Sequence, residues 1–369
     1  MKRFQFKYLH GYGSKITRRA ALFSIGALVC LSTGLVSCGD KPQTSNNNSA
    51  TSASTAGTSG QNNGFKAKEI RIVRSKQLTS LAILESQGNL EKALQPLGVT
   101  VKWAEFAAGP QQLEAINANG LDIASTAAHP PVFSQAAGNQ LVYLATTPIN
   151  GGSISLLVPK GSTVQNISEL KGKKIAFQKA SIGHYLVYKG LQQAGLKLDD
   201  VESVFLPPPD AATAFAQAKV DGWYIWEPFV TRAEVSGAGR VLESGEKYAD
   251  TRNFYSTSRK FYEDNPELIR IFFTELQKSE EWLKTHPKEA AQILAPITKL
   301  EPNILEKMHA KLTFGVRGID EDVIKKQEEL AQLWFDLKQI PNVPKVREGF
   351  LKPEEYAKIL PPEVLNTKN

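Results

Sequence analysis

The chain has 369 residues, of which 41% are hydrophobic and 22% are charged, as is ordinary for a soluble globular protein of about two domains. Residues 1–37 contribute six of its seven net positive charges; the remainder carries 38 basic and 37 acidic residues. The basic balance therefore does not indicate nucleic-acid binding. Both cysteines, Cys30 and Cys38, lie near the N-terminus, which excludes a disulfide framework in the folded part. Because the histidines are isolated, we expect no metal site and no cofactor.

Residues 1–37 are predicted to be a signal peptide. A basic region ending at Arg18-Arg19 precedes an apolar run of 17 residues, Ala20–Val36, whereas a transmembrane helix needs roughly 20. The sequence Leu35-Val36-Ser37-Cys38 resembles a lipobox, in which the cysteine is acylated and becomes the new N-terminus. We therefore predict lipid attachment at Cys38. The paired arginines leave open whether export follows the Sec or the twin-arginine route.

Residues 38–65 are predicted to comprise the acylated cysteine and a disordered linker. The stretch Gly39–Gly64 consists mainly of Ser, Thr, Asn, Ala and Gly, so it offers little apolar surface to bury. Such a segment is typical of a flexible connection between a lipid and a folded body.

From Lys68 onward, short apolar runs alternate with helical stretches. In the first part, strands are predicted at Ile70–Val73, Val99–Phe106, Leu121–Ala124 and Leu141–Ala145. Helices are predicted from about Leu78 to Leu94, from Gly109-Pro110, where proline favours the first turn, and at Pro130–Ala137. The second part has predicted strands at Ser155–Val158, Lys174–Phe177, Val201–Leu206 and Val220–Trp226 and helices at Ile182–Ala194 and Ala211–Ala218.

This alternation predicts an α/β fold with mixed sheets flanked by helices. We expect lobe 1 to begin with residues 66–152 and lobe 2 to occupy residues 153–254. The chain is then expected to return to lobe 1 and form helices over residues 255–345, before a C-terminal tail at 346–369.

In open α/β sheets, ligands bind beyond the carboxyl ends of strands, beside helix N-termini. The loops at these positions are rich in neutral hydrogen-bond donors, which favours an anion with several acceptor oxygens. Serines before helices are also common N-caps, lone tryptophans are often core residues, and a histidine can simply sit on an amphipathic helix. The candidate binding residues are Lys76, Ser80, Gln111, Ser125, Thr126, Gln178, Lys179, Ser181, His184, Asp221, Trp223, Trp226 and Glu227.

Several motifs together resemble the periplasmic aliphatic-sulfonate-binding proteins of ABC importers. They are Trp103–Ile116, Leu121–Thr126, Pro130–Gly138, Leu170–His184, Val220–Phe229 and Asn253–Tyr255. The resemblance implies a periplasmic-binding-protein-like clamp (type II), in which two lobes close on a ligand. It also implies a monomeric, exported protein that delivers a small anion to an ABC permease and its ATPase. With the lipobox, this places the chain in the periplasm or on the outer face of the cytoplasmic membrane, held by the lipid on Cys38.

The sequence departs from the family pattern at two places. Ala127-Ala128 stands where the family commonly has Gly-Asp, and Ala180–His184 replaces a run richer in serine. Both changes favour a ligand with a less polar tail.

The sequence leaves three other interpretations open. Nitrate, taurine or another small organic anion is an alternative ligand, and a sensor lipoprotein without a transport role is an alternative function. An exported enzyme would need a triad such as Ser181, His184 and Asp221. The chain lacks a Gly-x-Ser-x-Gly elbow, and neighbours on one loop are weak evidence for a triad. We therefore expect a binding protein without catalysis.

Overall fold

The computed structural model describes residues 65–74, 79–248 and 251–367. The predicted signal peptide, the linker up to Gly64 and Cys38 lie outside the described residues. Within the described ranges, no helix combines the length and the apolar character needed to span a membrane.

Lobe 1 contains two sheets and the helices that cover them. Strand β10 (Asn253–Ser258) is antiparallel to both β3 and β4 and lies between them, while β1 and β2 are parallel. A bridge between Ile72 and Ile123 connects the two sheets. The other elements are β1 (Glu69–Arg74), α1 (Thr79–Gln87), α2 (Asn89–Leu94), β2 (Thr100–Glu105), α3 (Gly109–Asn117), β3 (Ala124–Ala127), α4 (His129–Ala136) and β4 (Leu141–Thr146).

Two elements of lobe 1 differ from the sequence prediction. The single helix predicted for Leu78–Leu94 is divided at Gly88, whose φ of +62° is the left-handed conformation that ends a helix. The strand predicted at Leu121–Ala124 lies at Ala124–Ala127 instead. The Ile123 N–H and carbonyl bond to β1, and the chain then turns to pair with β10. Ser125 and Thr126 are therefore strand residues.

Lobe 2 is a five-stranded mixed sheet in the order β7-β6-β8-β5-β9. Successive side chains of its strands enter two separate cores: Leu156 and Tyr224 lie on one face, whereas Leu157 and Trp223 lie on the other. Helix α5 covers the first face, and α6 and α7 cover the second. The elements are β5 (Ile154–Pro159), β6 (Lys174–Phe177), α5 (Ile182–Gln193), β7 (Glu202–Phe205), α6 (Pro208–Ala216), β8 (Gly222–Trp226), α7 (Phe229–Val235) and β9 (Gly239–Ser244).

The C-terminal part is helical, as predicted for residues 255–345, and the predicted tail at 346–369 also contains two short helices. Helix α9 packs against α1, α2 and α13, so it belongs to the core of lobe 1, and α12 packs against α4. This arrangement confirms the predicted α/β class with helices around mixed sheets. The helices are α8 (Arg259–Asp264), α9 (Pro266–Thr285), α10 (Pro287–Thr298), α11 (Pro302–His309), α12 (Glu321–Asp336), α13 (Pro353–Ile359) and α14 (Pro362–Leu365).

Candidate functional site

A cavity of about 160 Å³ lies where the two lobes meet. Lobe 1 lines it with the first turns of α1 and α3, with β3 and with β10. Lobe 2 lines it with the first turn of α5 and the end of β8. The segment Leu312–Gly315 closes another side. The cavity therefore has the size of a small-molecule site and lies beside several helix N-termini.

Six of the predicted binding residues line this cavity. They come from four separate stretches of the chain, and all except Trp226 are buried. Their side chains offer hydroxyl groups, one carboxyl group and one aromatic surface. The six residues are Ser80, Ser125, Thr126, Ser181, Trp226 and Glu227.

Ser125 has the features expected of a residue that binds a ligand. Its backbone N–H donates to Gln112 Oε1 over 2.9 Å, which fixes the strand against α3. Its hydroxyl group is buried and lies near the Tyr255 hydroxyl on the facing strand, but it makes no hydrogen bond of normal length and angle within the described part of the chain. A buried hydroxyl group without a partner is costly, so a ligand oxygen in the cavity is a natural acceptor for it.

The start of α3 reaches the cavity because Gly109 allows close packing. A Cβ atom at this position would lie 3.0 Å from Pro130 Cγ and 3.2 Å from Thr126 Cβ. Ala108 precedes the helix and offers no side-chain cap. Apart from Pro110, which has no N–H group, the residues of the first turn therefore offer backbone N–H groups to an anion.

Ser181 is the N-cap of α5 as well as a cavity residue. Its hydroxyl oxygen accepts a hydrogen bond from the Gly183 N–H over 3.1 Å, and the hydroxyl donates to the Gln178 carbonyl oxygen over 2.6 Å. Ser181 therefore has the capping role that is common for a serine before a helix. Both bonds orient the start of α5 towards the cavity.

Glu227 borders the cavity, but its carboxyl group is committed to α7. One oxygen accepts from the Thr231 N–H at 3.0 Å and the other from the Thr231 hydroxyl at 2.9 Å. Burial raises the pKa of this carboxyl group, while the Thr231 hydrogen bonds act in the opposite direction. Helix capping accounts for the position of Glu227 without a ligand.

Three predicted residues near helix starts do not line the cavity. Gln111 lies one position before Gln112, and it is Gln112 that contacts β3 and the cavity. Gln178 donates to the neighbouring Lys179 carbonyl oxygen over 3.4 Å. Lys179 itself is exposed, with its ammonium group 5.7 Å from the centre of the Phe205 ring. Sequence proximity to a strand end did not fix the direction of these side chains.

Asp221 and Trp223 also lie away from the cavity. The Asp221 carboxylate accepts the Lys174 N–H over 2.9 Å, at the end of β6 opposite Ser181. Trp223 is 2% exposed and packs against Phe215 and Phe229 in the core of lobe 2. Both residues have structural roles.

His184 is fully buried beneath the start of α5 rather than at the cavity. Its ring lies 5.2 Å from Phe177 and 4.8 Å from Trp334, and its Nδ1 accepts the Ala180 N–H over 3.4 Å. Burial, with a smaller effect of Lys179, lowers its pKa to about 4. His184 is therefore neutral at pH 7 and orders the loop before α5. Lys76 lies outside the described residues.

Sequence reasoning missed several residues of the cavity, among them Glu280, Tyr255, Gln112 and Asn150. Glu280 is on α9, far along the chain, and no local motif marks it. Tyr255 and Ser125 are cross-strand partners of β10 and β3, so their side chains share one face of the sheet. Only the pairing of these strands reveals that neighbourhood.

The chain matches the family model described as "NMT1/THI5 like" over residues 95–290. A relative from Escherichia coli (strain K12) that is named as an aliphatic sulfonates-binding protein is 32% identical over 78% of this chain and 89% of its own length. One of Bacillus subtilis (strain 168) is 33% identical over 74% of this chain and 82% of its own. The solved alkanesulfonate-binding protein of Xanthomonas axonopodis pv. citri, bound to MOPS, has a TM-score of 0.75 and 30% identity, covering 78% of this chain and 99% of its own.

Proposed function

Because the chain belongs to the NMT1/THI5-like family, and within it to the aliphatic sulfonate-binding proteins, we propose that it is the solute-binding lipoprotein of an ABC importer. It captures an aliphatic sulfonate and delivers it to the permease. A sulfonate is a permanent monoanion with three acceptor oxygens and no proton to donate. A site made of neutral donors matches that chemistry.

The unpartnered hydroxyl group of Ser125 is the observation that carries this proposal. It faces a cavity that also receives Ser181, Thr126 and the uncapped start of α3. Hydrogen bonds to a charged group contribute about 1.5–3 kcal/mol each. An anion held by such donors needs no lysine or arginine beside it.

The organic tail of the ligand is assigned to the less polar part of the cavity. Ala127 presents a methyl group there, and Trp226 and Ile182 add apolar surface. Ala128 lies behind, where its carbonyl oxygen accepts from Gln327 over 2.7 Å. The Ala127-Ala128 pair thus makes this side of the cavity suitable for an aliphatic chain.

We assign no catalytic step to the protein. Ser181 is engaged with Gln178 and Gly183, Asp221 is bound at the opposite end of β6, and His184 accepts from the backbone. These three residues therefore do not form a nucleophile, base and orienting acid. Long incubation with a sulfonate should return the compound unchanged by mass spectrometry.

Export and anchoring belong to the same proposal. We infer that the mature chain begins at Cys38, carries a lipid there and works as a monomer in the periplasm or on the outer face of the cytoplasmic membrane. Its partners are then the permease with its ATPase, the membrane through the lipid, and the anion.

A thermal-shift and calorimetric comparison of Ser125→Ala with Ser256→Ala tests the function. The Ser256 hydroxyl is equally buried and has no hydrogen-bond partner in the described ranges, but it does not line the cavity. Ethanesulfonate should raise the melting temperature of the parent protein, because it binds the folded state. Ser125→Ala should weaken its binding by about tenfold or more, and Ser256→Ala should leave it unchanged.

The same screen includes taurine, nitrate and sulfate as competing ligands. Stabilisation by nitrate or sulfate without stabilisation by ethanesulfonate would contradict the sulfonate assignment. Equal effects of the two serine substitutions would contradict the assigned position of the anion.

A further inference from the structure

Glu280 brings a carboxyl group into the cavity from α9. It is 1% exposed and lines the cavity. The Ser80 hydroxyl and the Gly315 N–H lie near this carboxyl group and favour its ionised form. Its second oxygen, Oε2, has no hydrogen-bond partner among residues 65–74, 79–248 and 251–367. This buried carboxyl oxygen is therefore available to a ligand in the cavity.

We propose that Glu280 is a specificity-determining residue, which binds the ligand in its carboxylic acid form by donating a hydrogen bond from Oε2 to an anionic oxygen. This inference rests on the proposed function. An ionised Glu280 would instead place a second negative charge beside the sulfonate in a buried site. Binding of a monoanion is therefore coupled to uptake of one proton by Glu280.

The electrostatic surroundings agree with this geometry. Burial raises the pKa of Glu280 to about 7, although Ser80, Lys284, Arg317 and Gly315 act in the opposite direction. Tyr255 of β10 lies near the Glu280 carboxyl group. Burial, together with the charge of Glu280, raises the pKa of the Tyr255 hydroxyl. Tyr255 therefore stays neutral and adds no charge of its own.

The other titratable groups around the cavity should not cause the pH dependence of binding that is assigned to Glu280. His309, which lies 3.5 Å from Thr79, has its pKa lowered to about 4 by burial, so it stays neutral above pH 6. Glu227 has both oxygens bonded to Thr231. Glu227→Gln should therefore leave the pH dependence of binding in place.

Calorimetric titration of the parent protein with ethanesulfonate at pH 6 and pH 8.5 tests the proposal. The ligand does not titrate in this range. With a pKa near 7, the acid form of Glu280 falls about tenfold for each pH unit above it, so the affinity should fall by on the order of 30-fold. Titrations at pH 8 in two buffers with different ionisation enthalpies should show uptake of about one proton per ligand.

Glu280→Gln keeps a donor at the same position but cannot ionise. It should bind ethanesulfonate at pH 8.5 about as tightly as the parent does at pH 6, with no proton uptake. The matched control is Glu275→Gln on the same helix. The Glu275 carboxylate pairs with Lys278 Nζ over 2.7 Å and does not line the cavity. This control should keep the parental pH dependence.

Three results would overturn the inference. Tight binding of ethanesulfonate without pH dependence or proton uptake in the parent would show that Glu280 does not titrate with the ligand. Taurine binding that strengthens as the pH rises and disappears in Glu280→Gln would show an ionised carboxylate paired with an ammonium group. No binding of any sulfonate at either pH would overturn the proposed function itself.

Discussion

Trp334 Nε1 donates a hydrogen bond to His129 Nδ1 over 3.3 Å. His129 begins α4 in lobe 1, while the centre of the Trp334 ring lies 4.8 Å from that of the His184 ring of α5 in lobe 2. Trp334 itself is on α12 and is fully buried. One indole ring therefore connects the C-terminal helices to both lobes.

Trp334→Ala should lower the free energy of unfolding by about 3–5 kcal/mol, because it removes a large buried ring and leaves a cavity. Denaturant unfolding followed by circular dichroism measures this change. Trp282→Ala is the control, since Trp282 is only partly buried and stacks on His286 at 4.9 Å. A loss for Trp334→Ala no larger than that for Trp282→Ala would contradict the connecting role.

Acid should destabilise the protein through His129 and His184. Burial, with a smaller effect of His184, lowers the pKa of His129 to about 3, and the pKa of His184 is lowered to about 4. The unfolded chain, with histidine pKa values near 6.5, takes up protons below that pH, and the folded protein does not. Each histidine therefore contributes stability above pH 6.5 that is lost as the pH falls, towards about 4 for His184 and about 3 for His129.

At pH 5 the loss is on the order of 2 kcal/mol for each histidine. The free energies of unfolding of the parent and His184→Gln at pH 7.5 and pH 5 measure it. The substitution should reduce the difference between the two pH values by about this amount. His286→Gln changes a residue near the surface, so its stability difference between the two pH values should equal that of the parent. If His184→Gln also keeps the parental stability difference, the acid sensitivity does not come from His184.

Trp226 and Trp223 should differ in their effects on binding. Trp226→Ala removes apolar surface from the cavity, so it should weaken binding of a longer alkanesulfonate by about tenfold, and of ethanesulfonate by less. Trp223→Phe should lower stability and leave the affinity unchanged, because Trp223 lies in the core of lobe 2. Calorimetry gives the affinities and thermal unfolding gives the stabilities. A large loss of affinity in Trp223→Phe would place the tail of the ligand elsewhere.

Cys38→Ala should release the protein from the membrane, because the linker Gly39–Gly64 is too polar to hold it there. Fractionation of cells followed by immunoblotting measures the distribution. Cys30→Ala is the matched control and should remain in the membrane fraction. Retention of Cys38→Ala at the membrane would contradict lipid attachment at this residue.

The local sequence was sufficient to predict those features that depend on residues close together in the chain. Gly195 has a φ of +73° after α5, as its position after an apolar periodic stretch predicts. Ser181 caps that helix, and Gly109-Pro110 begins α3. The alternation of strands and helices also predicted the α/β class, because each strand of lobe 2 must be covered on both faces.

Strand geometry restricts the directions in which the side chains of Trp223 and Trp226 can point, but the sequence alone does not show which of them lies in the core. Trp223 and Trp226 are three positions apart in β8, so their side chains leave the strand on opposite faces. At most one of the two side chains can therefore face the wall of the cavity. The packing of α6 and α7 on one face decided that Trp223 belongs to the core.

The amino-acid sequence by itself determined the helix starts, the buried strands and the family motifs, since these depend on residues a few positions apart. Tertiary structure decided which polar groups meet in the cavity. Ser125 meets Tyr255 only because β10 returns to pair with β3, and Glu280 reaches the same cavity only because α9 packs against α1. These contacts join residues more than a hundred positions apart, and burial in the assembled fold, rather than any local pattern, sets the charge that Glu280 can carry.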